Sequence, residues 1–205
     1  MSLTKTAWAI FNQSIIQYHL LDNVDAQEEN PFEEGSLERI LYSKNWIDTV
    51  QWHLEDLIRD ENISPDEALF LKRRIDASNQ KRTDLVEYID HYFFEKYRHI
   101  PIKTDARLNT ETPAWAFDRL SILALKIYHM KIEASREDAE VKHREKCRVK
   151  LSILKEQYKD LSLAIEQLLT DISEGSVIMK TYKQMKMYND ESLNPILYQK
   201  KKQHG

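Results

Sequence analysis

The chain has 205 residues, 34 acidic against 30 basic, with 31% charged residues but only 3 glycines and 5 prolines. So even a charge balance excludes a surface built to hold polyanions over the whole molecule, and nucleic acid is not an expected partner. The scarcity of turn formers points to few, long helices, and the single cysteine, Cys147, excludes an intrachain disulfide or a cysteine-based zinc site.

The first helix is predicted over residues 3–21, with Ala7, Phe11, Ser14, Ile15 and Tyr18 on one side. His19 and Asp22 close it and offer either further ligands to a shared site or a surface end. The acidic, turn-rich stretch 22–35 reads as a loop. Ser36 then caps a second helix running to about Arg59. Ser64 before Pro65, Asp66 and Glu67 combines a cap, a proline suited to the first turn and acids at the positive end of the dipole; the third helix runs from there to about Arg98. Residues 99–111 read as a loop, and Thr112-Pro113 repeats the start signal. The fourth helix, Pro113 to about Ala134, is apolar on nearly all sides, which is the pattern of a central helix. The fifth is the longest. Cys147, Leu151, Leu154, Tyr158, Leu161, Ile165, Leu168 and Ile172 recur in steps of four and three as a seam for a neighbouring helix or a partner chain, and Gly175 ends it.

These elements predict an all-α, antiparallel up-and-down bundle of four to six helices with one long C-terminal amphipathic helix. Residues 1–180 form a single domain, followed by a basic, partly flexible tail over 181–205 that carries Lys183, Lys186, Lys200, Lys201 and Lys202, with Lys180 just before it. No run of about 18 uncharged apolar residues is present, so no membrane span is expected. The N-terminus lacks the basic and apolar regions of a leader, which makes the cytoplasm the expected compartment.

Two helices carry polar groups where a plain bundle does not need them. On the second, Trp46, Ile47, Val50, Leu54, Leu57 and Ile58 make the apolar side, and Asn45, Thr49, Trp52 and Asp56 line up opposite with His53 beside them. Leaving an indole in water forfeits roughly 1.5–3 kcal/mol of burial, so this second face should be covered, taking His53 and Asp56 into an enclosed place. On the third, Arg82 falls among the apolar positions Leu71, Ile75, Ser78, Leu85, Val86, Ile89 and Phe93, beside a polar stripe with Asn79 and Glu87. A buried guanidinium needs a carboxylate or an anionic ligand, and Asp56, Asp118 and Glu55 are the candidate partners. The reading is therefore either a structural ion pair or a clamp for phosphate.

His53 with Asp56, and Glu87 with Asp90, are pairs three residues apart, each on one helical face, and such pairs can share a divalent metal such as magnesium or manganese. Facing each other they would resemble the metal cage of the all-α nucleotide pyrophosphohydrolases, although that family uses two glutamates where His53 begins the first pair. In that scheme Asp56, Glu87 and Asp90 hold metal, His53, Asp56 and Glu87 serve catalysis, and Trp52, Asn79, Arg82, Asp118 and Arg119 bind a phosphorylated small molecule. Asp118 and His129 share a side of the fourth helix, where buried pairing is the plainer account. Glu140 and His143 match one half of a di-iron motif, within a charged stretch more simply read as solvated. The rival class is a non-enzymatic scaffold that forms a homodimer or docks a partner through the long last helix.

The runs Asn45-Trp-Ile-Asp-Thr-Val-Gln-Trp-His-Leu-Glu-Asp56, Ile75-Asp-Ala-Ser-Asn-Gln-Lys-Arg-Thr-Asp84 and Asn109-Thr-Glu-Thr-Pro-Ala-Trp-Ala-Phe-Asp118, the last continuing to His129, resemble a bacterial family catalogued as domain of unknown function 4254. The resemblance implies a helical cytosolic protein and supplies no activity.

Overall fold

The computed structural model describes residues 2–183, 190, 192–196 and 198–199; Lys186, Lys200, Lys201 and Lys202 of the basic tail lie outside them. The element order is α1 (Leu3–Leu21), α2 (Leu37–Leu57), α3 (Pro65–Tyr97), β1 (Arg107–Leu108), α4 (Pro113–Ser135), α5 (Val141–Ser173) and β2 (Val177–Ile178). Among the described residues the protein is an all-α fold of five roughly up-and-down helices with the long α5 near the C-terminus, as the periodicity predicts.

Local chemistry sets the helix ends. The hydroxyls of Ser2, Ser36 and Ser64 accept from the backbone N–H three residues on, at Lys5, Arg39 and Glu67. Asp22 ends α1 in the left-handed conformation (φ 44°), its N–H donating to the carbonyl of Tyr18. Gly175 ends α5 at φ 71°, and a side-chain carbon there would overlap the Pro101 carbonyl oxygen. That close approach joins the segment after α3 to the end of α5. Lys103 donates to the Gly175 carbonyl at 3.0 Å, and β1 pairs in parallel with β2, Arg107 opposite Val177. The pair is a correction to the loop expected over 99–111. Two residues of strand leave too short a pattern to be read from the sequence.

The core gathers Phe11, Ile15 and Tyr18 of α1, Leu41, Tyr42 and Trp46 of α2, Ile89 and Phe93 of α3, Phe117, Leu120 and Leu125 of α4, and Ile165 and Leu169 of α5. α4 packs against all four other helices, the position its apolar surface demands. The seam of α5 lies along α4 and, less extensively, α1; Cys147, Ile165 and Ile172 are buried there, while Leu151, Leu154, Tyr158, Leu161 and Leu168 are half-buried. Thr4 of α1 donates from both its N–H and its hydroxyl to Glu166 of α5, at 2.8 and 2.7 Å.

Candidate functional site

Two polar centres lie between the helices and meet at Trp52. The first is an ionic network of α2, α3 and α4. Lys44 and Asp48, one turn apart on α2, are buried with no side-chain exposure. The Lys44 ammonium donates to Asp48 Oδ2 at 2.5 Å and to Asp118 Oδ1 at 2.6 Å. Arg82 Nε donates to Asp48 Oδ1 at 2.5 Å, and Ser121 Oγ donates to Asp48 Oδ2 at 2.6 Å. Asn45 extends the network to Ser121 Oγ at 2.9 Å, and Gln51 donates to Asn79 Oδ1 at 2.8 Å, an atom that also accepts from Arg82 at 3.3 Å. Two cations thus face two carboxylates, and the centre is electrically balanced. Arg82 has the ionic partner its place required, but that partner is chiefly Asp48, with Asp118 at 3.8 Å, rather than Asp56 or Glu55.

The second centre is a cluster of three half-buried histidines from three helices: His19 of α1, His53 of α2 and His129 of α4. One ring nitrogen from each lies within 4.8 Å of the others, the geometry of a candidate metal site. His19 Nδ1 is 2.7 Å from the Ile15 carbonyl and so donates to it, leaving Nε2 to face the cluster. His53 Nε2 lies 3.2 Å from that atom. His129 Nε2 is buried without a hydrogen-bond partner. Aromatic rings fix the orientations: Tyr18 stacks on His53 at 5.1 Å, and Trp52 stacks on His129 at 4.9 Å with the planes 6° apart. This contact half-covers the indole that the sequence left on the polar side of α2, but Asp56, expected to be enclosed with it, is exposed because it lies in the last turn of the helix. Burial, then the neighbouring imidazoles, lower the pKa of His53 and bring that of His129 down to about 4, against the smaller opposing pull of Asp56. Both rings are therefore neutral near pH 7.

Two hollows flank the centres. One, about 410 Å³, is lined by Asp48, Gln51, Trp52, Asp56 and Arg82 among others; the second, about 610 Å³, reaches His53 and the other side of Asp56 beneath Tyr18. Trp52, His53, Asp56, Asn79, Arg82 and Asp118 thus lie in or beside this region. Glu87, Asp90 and Arg119 do not join it. The pairs Asp48–Arg82 and Gln51–Asn79 fix α2 and α3 as antiparallel neighbours, and that register sets Glu87 level with Ser43. Asp56 lies thirteen positions further along α2, about 20 Å at 1.5 Å per residue. The facing cage of two acidic pairs therefore does not form. Asp90 instead sits at the start of α4 beside Thr112 and the backbone of Ala114, where burial raises its pKa. Arg119 is exposed and pairs with Glu111.

Sequence reasoning passed over Lys44, Asp48 and Ser121. A signal existed, because Lys44 and Asp48 continue the buried line of Leu37 and Leu41 down α2. The sequence offers His19 as a further ligand to a shared site, but no spacing relates it to His53 and His129, since each comes from a different helix.

An all-helical bundle with an ionic network and a histidine cluster between its helices is the class of protein defined here. The chain belongs to the family described as protein of unknown function (DUF4254), which it matches over residues 38–181. No curated protein and no solved structure matches it. His53 and His129 fall inside the matched span and His19 before it.

Proposed function

We propose that the protein holds one divalent transition-metal ion on His19, His53 and His129, and that this site binds an anionic, phosphorylated small molecule and assists its hydrolysis. The observation that carries the reading is the approach of three imidazole nitrogens to within 4.8 Å. Tetrahedral zinc, with bonds of about 2.0–2.1 Å, separates its ligand atoms by about 3.4 Å, close to the 3.2 Å between His19 and His53. The backbone carbonyl on His19 Nδ1 is the outer partner that metal-bound histidines commonly have. Imidazoles favour zinc, copper, iron or nickel, whereas magnesium and manganese favour oxygen ligands, so the donor set supports a zinc-class ion over the magnesium or manganese first expected. Three protein ligands leave a position open for water or substrate.

The charge balance of the ionic network supports the same assignment. Lys44 and Arg82 are neutralised by Asp48 and Asp118, so the positive charge for a phosphoryl group comes from the metal. Asp56, whose charge reaches both His53 and His129, would in this reading take the proton of an attacking water. Arg82 and Asn79 then hold the wall rather than the ligand.

The test is reconstitution of metal-stripped protein with zinc, cobalt, manganese and magnesium, followed by metal analysis after gel filtration. One equivalent of zinc or cobalt is expected, with His53→Ala and His129→Ala each weakening retention more than about tenfold and leaving the helical circular dichroism intact. Retention unchanged in both variants sinks the metal site. Zinc retention without a melting-temperature shift or phosphate release across phosphomonoesters and nucleotides sinks the substrate class alone.

A further inference from the structure

The hollow of about 610 Å³ between the end of α1, the end of α2 and the start of α3 carries a charge of its own. Its volume falls in the range of small-molecule sites. Asp22, Asp56, Asp60 and Glu67 line it, and no lysine or arginine does. None of the four forms an ion pair among the described residues, and Asp60 accepts only from Asn62. Neighbouring Arg59 and Arg74 are engaged elsewhere, by Glu55 and Asp25. His53, also on the lining, is neutral near pH 7. A cleft walled by one sign of charge concentrates ions of the other.

Exposed acids are ordinary on a surface, but the phenol among them is not. Tyr18 is 1% exposed and lines the hollow. Its hydroxyl makes no hydrogen bond among the described residues, yet it is not one of the polar atoms sealed from solvent, so it opens on this space. A hydroxyl withdrawn so far from water gives up hydrogen bonds that a ligand in the hollow restores. No three of the carboxylates bring oxygens within 4.8 Å of one another, as the histidines bring their nitrogens, so the negative charge is spread along the hollow rather than gathered around one metal ion. We infer that the hollow binds a small organic polycation whose ammonium groups are separated by alkyl chain. The ammoniums meet the four carboxylates, one of them donates to the Tyr18 oxygen, and the methylenes lie on Leu57, Ile63 and Leu71. The sign is opposite to that of the phosphorylated ligand proposed for the metal, so the two occupants are different molecules, and the inference stands without the metal.

The probe is spermidine, titrated calorimetrically into the full chain after treatment with a chelator. Saturable one-to-one binding is expected. Tyr18→Phe should weaken it at least threefold without lowering the melting temperature of the free protein, because the hydroxyl lost has no partner to strand. Asp22→Asn with Glu67→Gln should weaken it at least tenfold; asparagine tolerates the left-handed conformation at position 22. Glu137→Gln with Glu156→Gln, the same change of charge at exposed positions off the lining, should leave it unchanged. Magnesium at equal charge concentration should not displace spermidine. His129→Ala removes a proposed metal ligand that does not line this hollow and should leave spermidine binding intact, whatever it does to zinc retention. Absence of saturable binding, or equal losses in the two double variants, overturns the site. Wild-type affinity in Tyr18→Phe overturns the role of the hydroxyl, and displacement by magnesium overturns the organic cation.

Discussion

At the scale of single residues, the ionic network and the histidines set opposite electrostatic problems. Lys44 and Asp48 have no solvent to share their charge, so each depends on the other. Asp48→Ala removes the one acceptor that Lys44, Arg82 and Ser121 share, leaving two cations to Asp118, and should cost about 3–5 kcal/mol, the usual penalty for breaking a buried ion pair. Asp118→Ala leaves Lys44 its bond to Asp48 and should cost clearly less. Urea unfolding of the two variants measures the difference, and equal losses would refute the ranking. His53 and His129 are half-buried and neutral instead. Between pH 6.5, where an unfolded histidine titrates, and about 4, where folded His129 does, the unfolded chain binds protons that the folded chain does not. Stability of metal-free protein should therefore be full above pH 6.5 and fall as the pH drops through that window. His129→Ala should flatten the slope, as read from thermal melts in the presence of a chelator.

At the scale of elements, helix ends were plainly written and helix partners were not. Ser36, Ser64-Pro65 and Thr112-Pro113 mark starts because a cap hydroxyl and a proline act within one turn. Gly175 marks a stop for a local reason, its positive φ, and for a distant one, the Pro101 carbonyl that leaves no room for a side chain. Gly175→Ala meets both and should destabilise by more than about 1 kcal/mol, while Gly35→Ala, with positive φ but open space around it, should cost less; chemical denaturation compares them. The seam of α5 is legible as a seam, but whether a helix of this chain or of another covers it depends on how α4 folds back. With α4 covering it, Leu154→Asp with Leu161→Asp should lower the melting temperature independently of protein concentration. A strong concentration dependence in the wild type would restore the partner-chain reading.

At the scale of the whole molecule, α4 brings distant chemistry together. It supplies Asp118 and Ser121 to the ionic network and His129 to the histidine cluster, and Trp52 stacks on that histidine from α2. Loss of the indole should disturb the metal site without removing a ligand. Trp52→Ala is expected to weaken cobalt retention and alter its visible absorption, whereas Trp52→Phe should retain most of both. Identical spectra for all three proteins would show that the stack has no bearing on the site. Among the described residues no helix is long and apolar enough to cross a membrane, in line with the absence of a long apolar run.

By itself the sequence determined the approximate spans and ends of the helices, the central place of the fourth, and the need for Arg82 and Trp52 to be covered, because periodicity, caps and the cost of exposing or stranding a side chain act within a few residues. It did not determine which carboxylate meets Arg82, that Glu87 stands far from Asp56, or that His19, His53 and His129 converge. Those follow from the register and crossing of α1, α2, α3 and α4, which the summed packing of the core sets, and an imidazole at one position carries no local trace of two others brought to it by separate helices.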